Sequence, residues 1–220
     1  LIPVLQPIDQ AHGDQMRQAW TDSWIERFPA LTETAAQVIE DQKLTEAGIF
    51  DQAKALEAHF RTSRLYTYSL DASQNRDLDL DPIEDFVANH RSGHCEYFAS
   101  ALTLMLRSHN IPARLVVGYR GGDFNTVGSY YIVRQLHAHA WVEAWLPGQG
   151  WVTVDPTFQV APERIERGLE EAVRGEGSFL QDDYLSASRY RGVTWLNEAR
   201  LAWDNINYQW QLRVLNFKGE

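Results

Sequence analysis

The chain of 220 residues carries a formal charge of −10, a single cysteine and 12% aromatic residues. The acidic balance argues against nucleic acid as a partner, and one thiol excludes both an intrachain disulfide and a zinc site built from cysteines. The aromatic content belongs to a chain with a packed core, not to a disordered one.

No apolar run has the length that crosses a bilayer. The start, Leu1-Ile2-Pro3-Val4, has neither a basic n-region nor a signal peptide. The sequence reads as the middle of a longer protein.

In chain order, residues 1–12 are an extended, proline-containing lead-in. Residues 14–27, 34–42 and 48–61 read as helices. The last places Ile49, Ala53, Leu56 and Phe60 on one face. Leu65 to Leu70 reads as a short strand and Asp71 to Asp81 as a polar loop. Asp77, Asp79 and Asp81 invite a calcium reading, but Pro82 stands where an EF-hand loop needs glycine and Ala88 where it needs an acid. A local account fits better: Asp81 as N-cap, Pro82 as first helical residue and Glu84 as third, a capping-box-like start.

The stretch Ser92-Gly93-His94-Cys95-Glu96-Tyr97-Phe98 holds the cysteine. From it onward Phe98, Ala101, Leu102, Met105 and Leu106 recur at the offsets of one buried helical face. The spacing predicts a helix over 95–108. Asn110 suits the left-handed conformation after a helix, and Pro112 stops continuation. Gly93 lets the backbone turn sharply into the helix. A thiol in a first helical turn lies beside unpaired backbone N–H groups and the positive end of the dipole, which favour thiolate. A lone cysteine is ordinarily a small buried hydrophobe, so a catalytic role requires a base and an orienting acid elsewhere.

Beyond the helix the period changes. Residues 113–119 read as a strand, 120–128 as a loop with three glycines, and 130–135 as a second strand. Residues 139–146 are a third, with Ala140, Val142, Ala144 and Leu146 on one face and His139, Trp141, Glu143 and Trp145 on the other. Pro147 to Gly150 is a turn, and 151–154 is a fourth strand ended by Asp155-Pro156. Helices, a nucleophile helix and then an antiparallel meander make an α+β fold. Residues 168–178 read as a surface loop or loose helix. Residues 195–217 read as a long amphipathic helix whose stripe, including Trp203, Ile206 and Trp210, packs on the domain. The expected organisation is one domain over 1–220: a core over about 65–165, a helical region over 1–64, and a C-terminal loop and helix over 166–220.

His137 and His139 both lie at the start of the third strand, on one face. Either is a candidate base; as a His-x-His metal pair they lack a third ligand. A tight hairpin through Gly148 brings Asp155 to within about three rungs of His139. A carboxylate there fixes an imidazole tautomer and stabilises the imidazolium.

Four motifs in order resemble the transglutaminase-like core: Gly93-His94-Cys95-Glu96-Tyr97-Phe98-Ala99, Ile111-Pro112-Ala113-Arg114 with Gly118-Tyr119, His139-Ala140-Trp141-Val142-Glu143, and Gly150-Trp151-Val152-Thr153-Val154-Asp155-Pro156-Thr157. Arg120-Gly121-Gly122, Val133-Arg134-Gln135 and Val160-Ala161-Pro162-Glu163-Arg164-Ile165 are similar to the bacterial membrane-tethered TgpA type. The one departure is Asn110, where a glycine is usual.

The resemblance implies a papain-like core with Cys95 as nucleophile, His139 as general base and Asp155 as orienting acid. It implies acyl transfer from glutamine side-chain amides of a protein or peptide substrate through a thioester, with an amine or water as acceptor. Calcium dependence, known in animal transglutaminases, is not supported by any site in the sequence, and no cofactor or metal is expected. The same triad serves cysteine peptidases and amidases, and a degenerate core serves as a non-catalytic envelope binding module. The TgpA type implies a periplasmic domain of a membrane-anchored inner-membrane protein, with substrates in the cell envelope. Trp141 and Trp151 are expected to pack the sheet, and Glu96 and Glu143 to line the cleft or form ion pairs. For the oxyanion, the Cys95 N–H is one donor; His90, His94 or an upstream aromatic is the second.

Overall fold

The computed structural model describes residues 27–71, 76–162 and 194–210. The helix expected over 14–27, apart from Arg27, and the segment over 168–178 lie outside them.

Helix α1 spans Pro29–Asp41 and so begins before the expected residue 34. Its N-cap residue Phe28 offers no side-chain acceptor. The free N–H groups of Ala30 and Leu31 donate instead to the carboxylate of Glu84, at 2.5 and 3.1 Å. Glu84 is almost fully buried, and its negative charge complements the helix dipole. Asp81 does cap its own helix, accepting from Ile83 N at 3.0 Å, but Glu84 is drawn to α1 and the expected capping box does not close.

Helix α2 (Ile49–Thr62) buries Ala53, Ala55, Leu56 and Phe60, largely the predicted face. Strand β1 is only Thr67–Tyr68, shorter than Leu65 to Leu70, and pairs in parallel with β2, Ser92–Gly93. Between them α3 (Pro82–Asp85) runs into one π-helical turn, Phe86–His90, ended by Arg91 at φ 51°.

The nucleophile helix α4 spans Cys95–Ser108, as the apolar spacing predicts. Phe98, Ala101, Leu102, Met105 and Leu106 are fully buried, each side chain contributing on the order of 1.5–3 kcal/mol for the larger apolar groups. Asn110 takes φ 57°. Its N–H donates to Arg107 O and that of Ile111 to Leu106 O, both at 3.0 Å, the paired bonds of a Schellman termination. Around Phe98 the rings of Phe60, Tyr66 and Phe86 meet edge to face or tilted, with neighbouring centroids 5.0–5.6 Å apart.

Strand β3 (Ala113–Tyr119) leads to a small hairpin, β4 (Asp123–Asn125) with β5 (Tyr130–Ile132), and then to β6 (Ala138–Leu146) and β7 (Gly150–Val154). The main sheet is antiparallel in the order β3-β6-β7. The expected four-stranded meander is corrected on two points. Residues 120–128 contain a strand, and the strand expected over 130–135 leaves the sheet to pair with it. The cause is Asn125, whose buried Oδ1 accepts from Val127 N and Gly128 N, both at 3.0 Å, closing the turn locally.

Asp155 caps the short helix α5, Pro156–Val160. The last described helix, α6 (Thr194–Trp210), docks on the hairpin: Asn125 Nδ2 donates to Leu201 O at 2.9 Å, Arg134 bridges Asp123 and Asp204, and Tyr208 packs on Tyr130 at 4.4 Å. These anchors select the other face of the helix from the one expected. Trp203, Ile206 and Trp210, assigned to the packed stripe, are mostly exposed.

Gly93 is needed for space, not for a turn. A Cβ there would meet the Tyr97 ring at 2.9 Å, at Cγ, close to the backbone where the side chain cannot swing away. Gly93→Ala is expected to cost about 1–3 kcal/mol, read as a lowered melting temperature; an unchanged value would refute the close-approach account.

Candidate active site

Cys95 is the first residue of α4 and is 8% exposed. Helix geometry leaves its N–H and that of Glu96 without intrahelical acceptors. Burial pushes the thiol pKa up. The neighbouring side chains of His139 and His94 and the backbone of Ala140 outweigh it and bring the thiol down to about 6.

His139 stands at the second position of β6 and is 2% exposed. Its Nε2–H donates to Asp155 Oδ2 at 2.8 Å. A carboxylate carries no proton to share, so this bond fixes the tautomer and leaves Nδ1 as the acceptor for the Cys95 proton. Nδ1 is buried and makes no hydrogen bond of ordinary geometry. The interaction with Cys95 is therefore looser than a full hydrogen bond, yet close enough to raise the imidazole and lower the thiol. Burial pushes the imidazole pKa down; the hydrogen bond to Asp155 and the looser interaction with Cys95 overcome it and the net direction is up. Trp141 lies nearly parallel to the imidazole, 6.1 Å between centroids at 22°, and its edge comes to 3.0 Å from where a Gly118 Cβ would stand. Gly118 thus makes room for the ring beside the imidazole.

The β6–β7 register pairs Val142 with Val154. Asp155 follows next to Trp141, diagonal to His139, as the hairpin count anticipates. One carboxylate oxygen serves His139 and the other accepts from Thr157 N at 3.0 Å. Arg120 Nη1 lies 3.7 Å from Oδ2. The structure thus brings together all three predicted residues, Cys95, His139 and Asp155.

His137 does not join them, and its expected place on a strand face with His139 is corrected. It closes a 3-10 turn over Gln135–His137, and its Nδ1 accepts from Arg134 N at 3.0 Å. Of the oxyanion candidates, His94 neighbours the thiol, whereas the His90 ring is buried with Nδ1 3.3 Å from Asp85 Oδ2. Glu143 forms an ion pair with Arg114, whose guanidinium covers the Trp151 ring at 4.2 Å.

Sequence reasoning missed Glu57. Its Oε1 accepts from Asp155 N at 3.2 Å across 98 residues of chain, a separation no local pattern signals. Among the described residues no group of three or more His, Cys, Asp or Glu side chains forms a metal-binding cluster. Asp77 and Asp81 accept from Asp79 N and Ile83 N.

The thiol value has a direct test. Alkylation of Cys95 by iodoacetamide is expected to rise with a midpoint near pH 6. In His139→Ala it should move to the ordinary thiol range, about 8.5. Deprotonation supplies the nucleophile, so reactivity appears above the midpoint and is lost below it. A wild-type midpoint already at the ordinary value would refute the interaction.

The sequence model of the transglutaminase-like superfamily matches residues 33–156. The match starts ahead of the expected core boundary at about residue 65 and takes in α2 and most of α1. A protein-glutamine gamma-glutamyltransferase of Pseudomonas aeruginosa is 55% identical over 140 residues, 64% of this chain and 21% of that protein. The uncharacterised protein YebA of Bacillus subtilis is 40% identical over 113 residues, 50% of this chain and 15% of that protein. Among solved structures, the periplasmic domain of TgpA from Pseudomonas aeruginosa superposes with a TM-score of 0.61 at 37% identity, over 74% of this chain and 53% of that one. Its ethylmercury-bound form gives 0.56 at 36%, over 70% and 52%. The chain therefore spans only a minor part of these curated relatives and about half of the solved domain. With more than half of its length in the family match, and with mixed helix and antiparallel sheet around a buried thiol, the chain belongs to the transglutaminase-like superfamily.

Proposed function

We propose that this domain is a Cys–His–Asp acyltransferase that acts on glutamine side-chain amides. The observation that carries the reading is the buried imidazole of His139, bonded to Asp155 through Nε2 at 2.8 Å while interacting with the Cys95 thiol. Family membership and the glutamyltransferase relative support acyl transfer.

In the proposed cycle the Cys95 thiolate attacks the amide carbon and an oxyanion forms. The Cys95 N–H at the start of α4 is placed to donate to it. The C–N bond breaks, ammonia leaves with a proton from the His139 imidazolium, and a thioester remains. An amine or water then attacks the thioester carbonyl, gives its proton to His139, and returns the thiolate. Asp155 holds the imidazole in the tautomer that faces sulfur and balances the imidazolium charge.

The substrates proposed are cell-envelope proteins or peptides. The parent protein is proposed to be anchored in the inner membrane with this domain on the periplasmic side, as the likeness to a periplasmic domain supports. The deciding experiment is mass spectrometry of a glutamine-containing peptide library incubated with a primary amine. Amine incorporation at glutamine, lost in Cys95→Ala, is the expected result. Deamidation alone would make water the acceptor. Backbone cleavage without either would replace this reading with a peptidase.

A further inference from the structure

Glu57 belongs to none of the motifs around the cysteine, the histidine or the aspartate. It lies in α2 and reaches into the junction between β7 and α5. There its Oε1 accepts the Asp155 N–H at 3.2 Å, and the Gln159 side chain donates to the same carboxylate. Val154 is the last paired residue of β7, so the Asp155 backbone N–H has left the strand ladder and needs an acceptor of its own.

Asp155 is a one-residue joint between strand and helix, at φ −120° and ψ 97°. A change in those angles swings its carboxylate relative to the imidazole. Three bonds hold the joint apart from the one to His139: Thr157 N to Oδ1 at 3.0 Å, Asp155 N to Glu57 at 3.2 Å, and Phe158 N to the Asp155 carbonyl at 3.2 Å, the last closing the first turn of α5. The first fixes the side chain against α5, and the second fixes the backbone against α2. We propose that Glu57 is a positioning residue of this reaction, accepting the Asp155 N–H so that Oδ2 is aimed at His139. The inference rests on the Cys–His–Asp reading above.

A side chain needed only to fill the contact between α2 and α5 would be apolar, like Ala53 and Leu56 of the same helix, both buried. Glu57 is instead a carboxylate beside a carboxylate. Burial first and the Asp155 charge second push its pKa up, while the Asp155 N–H, Gln159 and Lys54 oppose them. Beyond Asp155 stand His139 and the half-exposed Arg120. The bond to Asp155 needs an oxygen at this spot rather than a charge.

The test compares Glu57→Ala, Glu57→Asp and Glu57→Gln for kcat and KM with a glutamine donor, and for the pH midpoint of Cys95 alkylation. Glu57→Ala removes the acceptor and Glu57→Asp withdraws it by one methylene while keeping the charge. Both are expected to lower kcat about ten- to a hundredfold with KM little changed, and to raise the thiol midpoint. Glu57→Gln keeps an amide oxygen in place and is expected to restore both. Full kcat in Glu57→Asp, a loss confined to KM, or no rescue by Gln would overturn the proposal; if Glu57→Ala fails to fold, Glu57→Asp decides. Asp155→Asn in the same series separates the two levels. If it is impaired while the Glu57 variants are not, only the positioning role falls; if it keeps full rate, the triad reading falls and takes this inference with it.

Discussion

Cys95→Ala is expected to abolish amine incorporation, by about four to six orders of magnitude in kcat, while shifting the melting temperature by no more than about 4 °C. The two halves of this result have separate physical origins. The thioester cannot form without sulfur, and no other thiol exists in the chain to replace it. The fold hardly uses that sulfur. Cys95 sits at the first turn of α4, with the core of the helix supplied further along by Phe98, Leu102, Met105 and Leu106. Alanine has the best helix propensity and occupies less volume, so nothing is overpacked. The change also removes a thiol held near pKa 6 in a buried place. Thermal unfolding and the amine-incorporation assay on the same preparation test both halves. A fall of more than ten degrees with residual activity would make Cys95 a core residue and not the nucleophile.

How much of this was legible beforehand follows from how local each feature is. Helix α4 could be read whole, because its apolar stripe, its left-handed Asn110 and Pro112 all lie within one short stretch. The proximity of His139 to Asp155 was legible for a similar reason. A period of two places side chains on faces, and a tight turn at Gly148 sets the register. The limits appear wherever an oxygen travels far along the sequence. Glu84 starts α1 from 53 or 54 residues away, so the acceptor for its first N–H groups left no local mark, and Pro29 at the first helical position was the only nearby cue. Asn125 pulled residues 130–132 out of the sheet by closing a turn on itself. Helix α6 shows hydrophobic periodicity misleading outright. Its face was chosen by Asn125, Arg134 and Tyr130, leaving Trp203 and Trp210 outside. Around Cys95 the same lesson separates the motif residues from Glu57, whose only tie to the site is tertiary.

The second large effect distinguishes the two histidines. His139→Ala is expected to lower kcat by about four to six orders of magnitude, whereas His137→Ala should leave it within about threefold, its cost falling on stability at about 1 kcal/mol for a lost buried hydrogen bond. His137 is occupied elsewhere: its Nδ1 accepts from Arg134 N, its N–H donates to Arg134 O at 2.9 Å and its carbonyl accepts from Arg120 N at 2.8 Å. Of the two, His139 has Nε2 on a carboxylate and interacts with the thiol. Asp155→Asn then grades the acid. The asparagine amide keeps the shape but removes the charge opposite the imidazolium, so the His139 pKa falls and the thiol midpoint rises with it. The corresponding change in a serine-protease triad costs about four orders of magnitude. Here a thiol already near pKa 6 needs less help to ionise, and the expected loss is smaller, about ten- to a thousandfold. Ammonia release from a glutamine donor measures all three variants. Activity that survives in His139→Ala but not in His137→Ala would transfer the base to the wrong ring, and a full rate in Asp155→Asn would reduce the triad to a dyad.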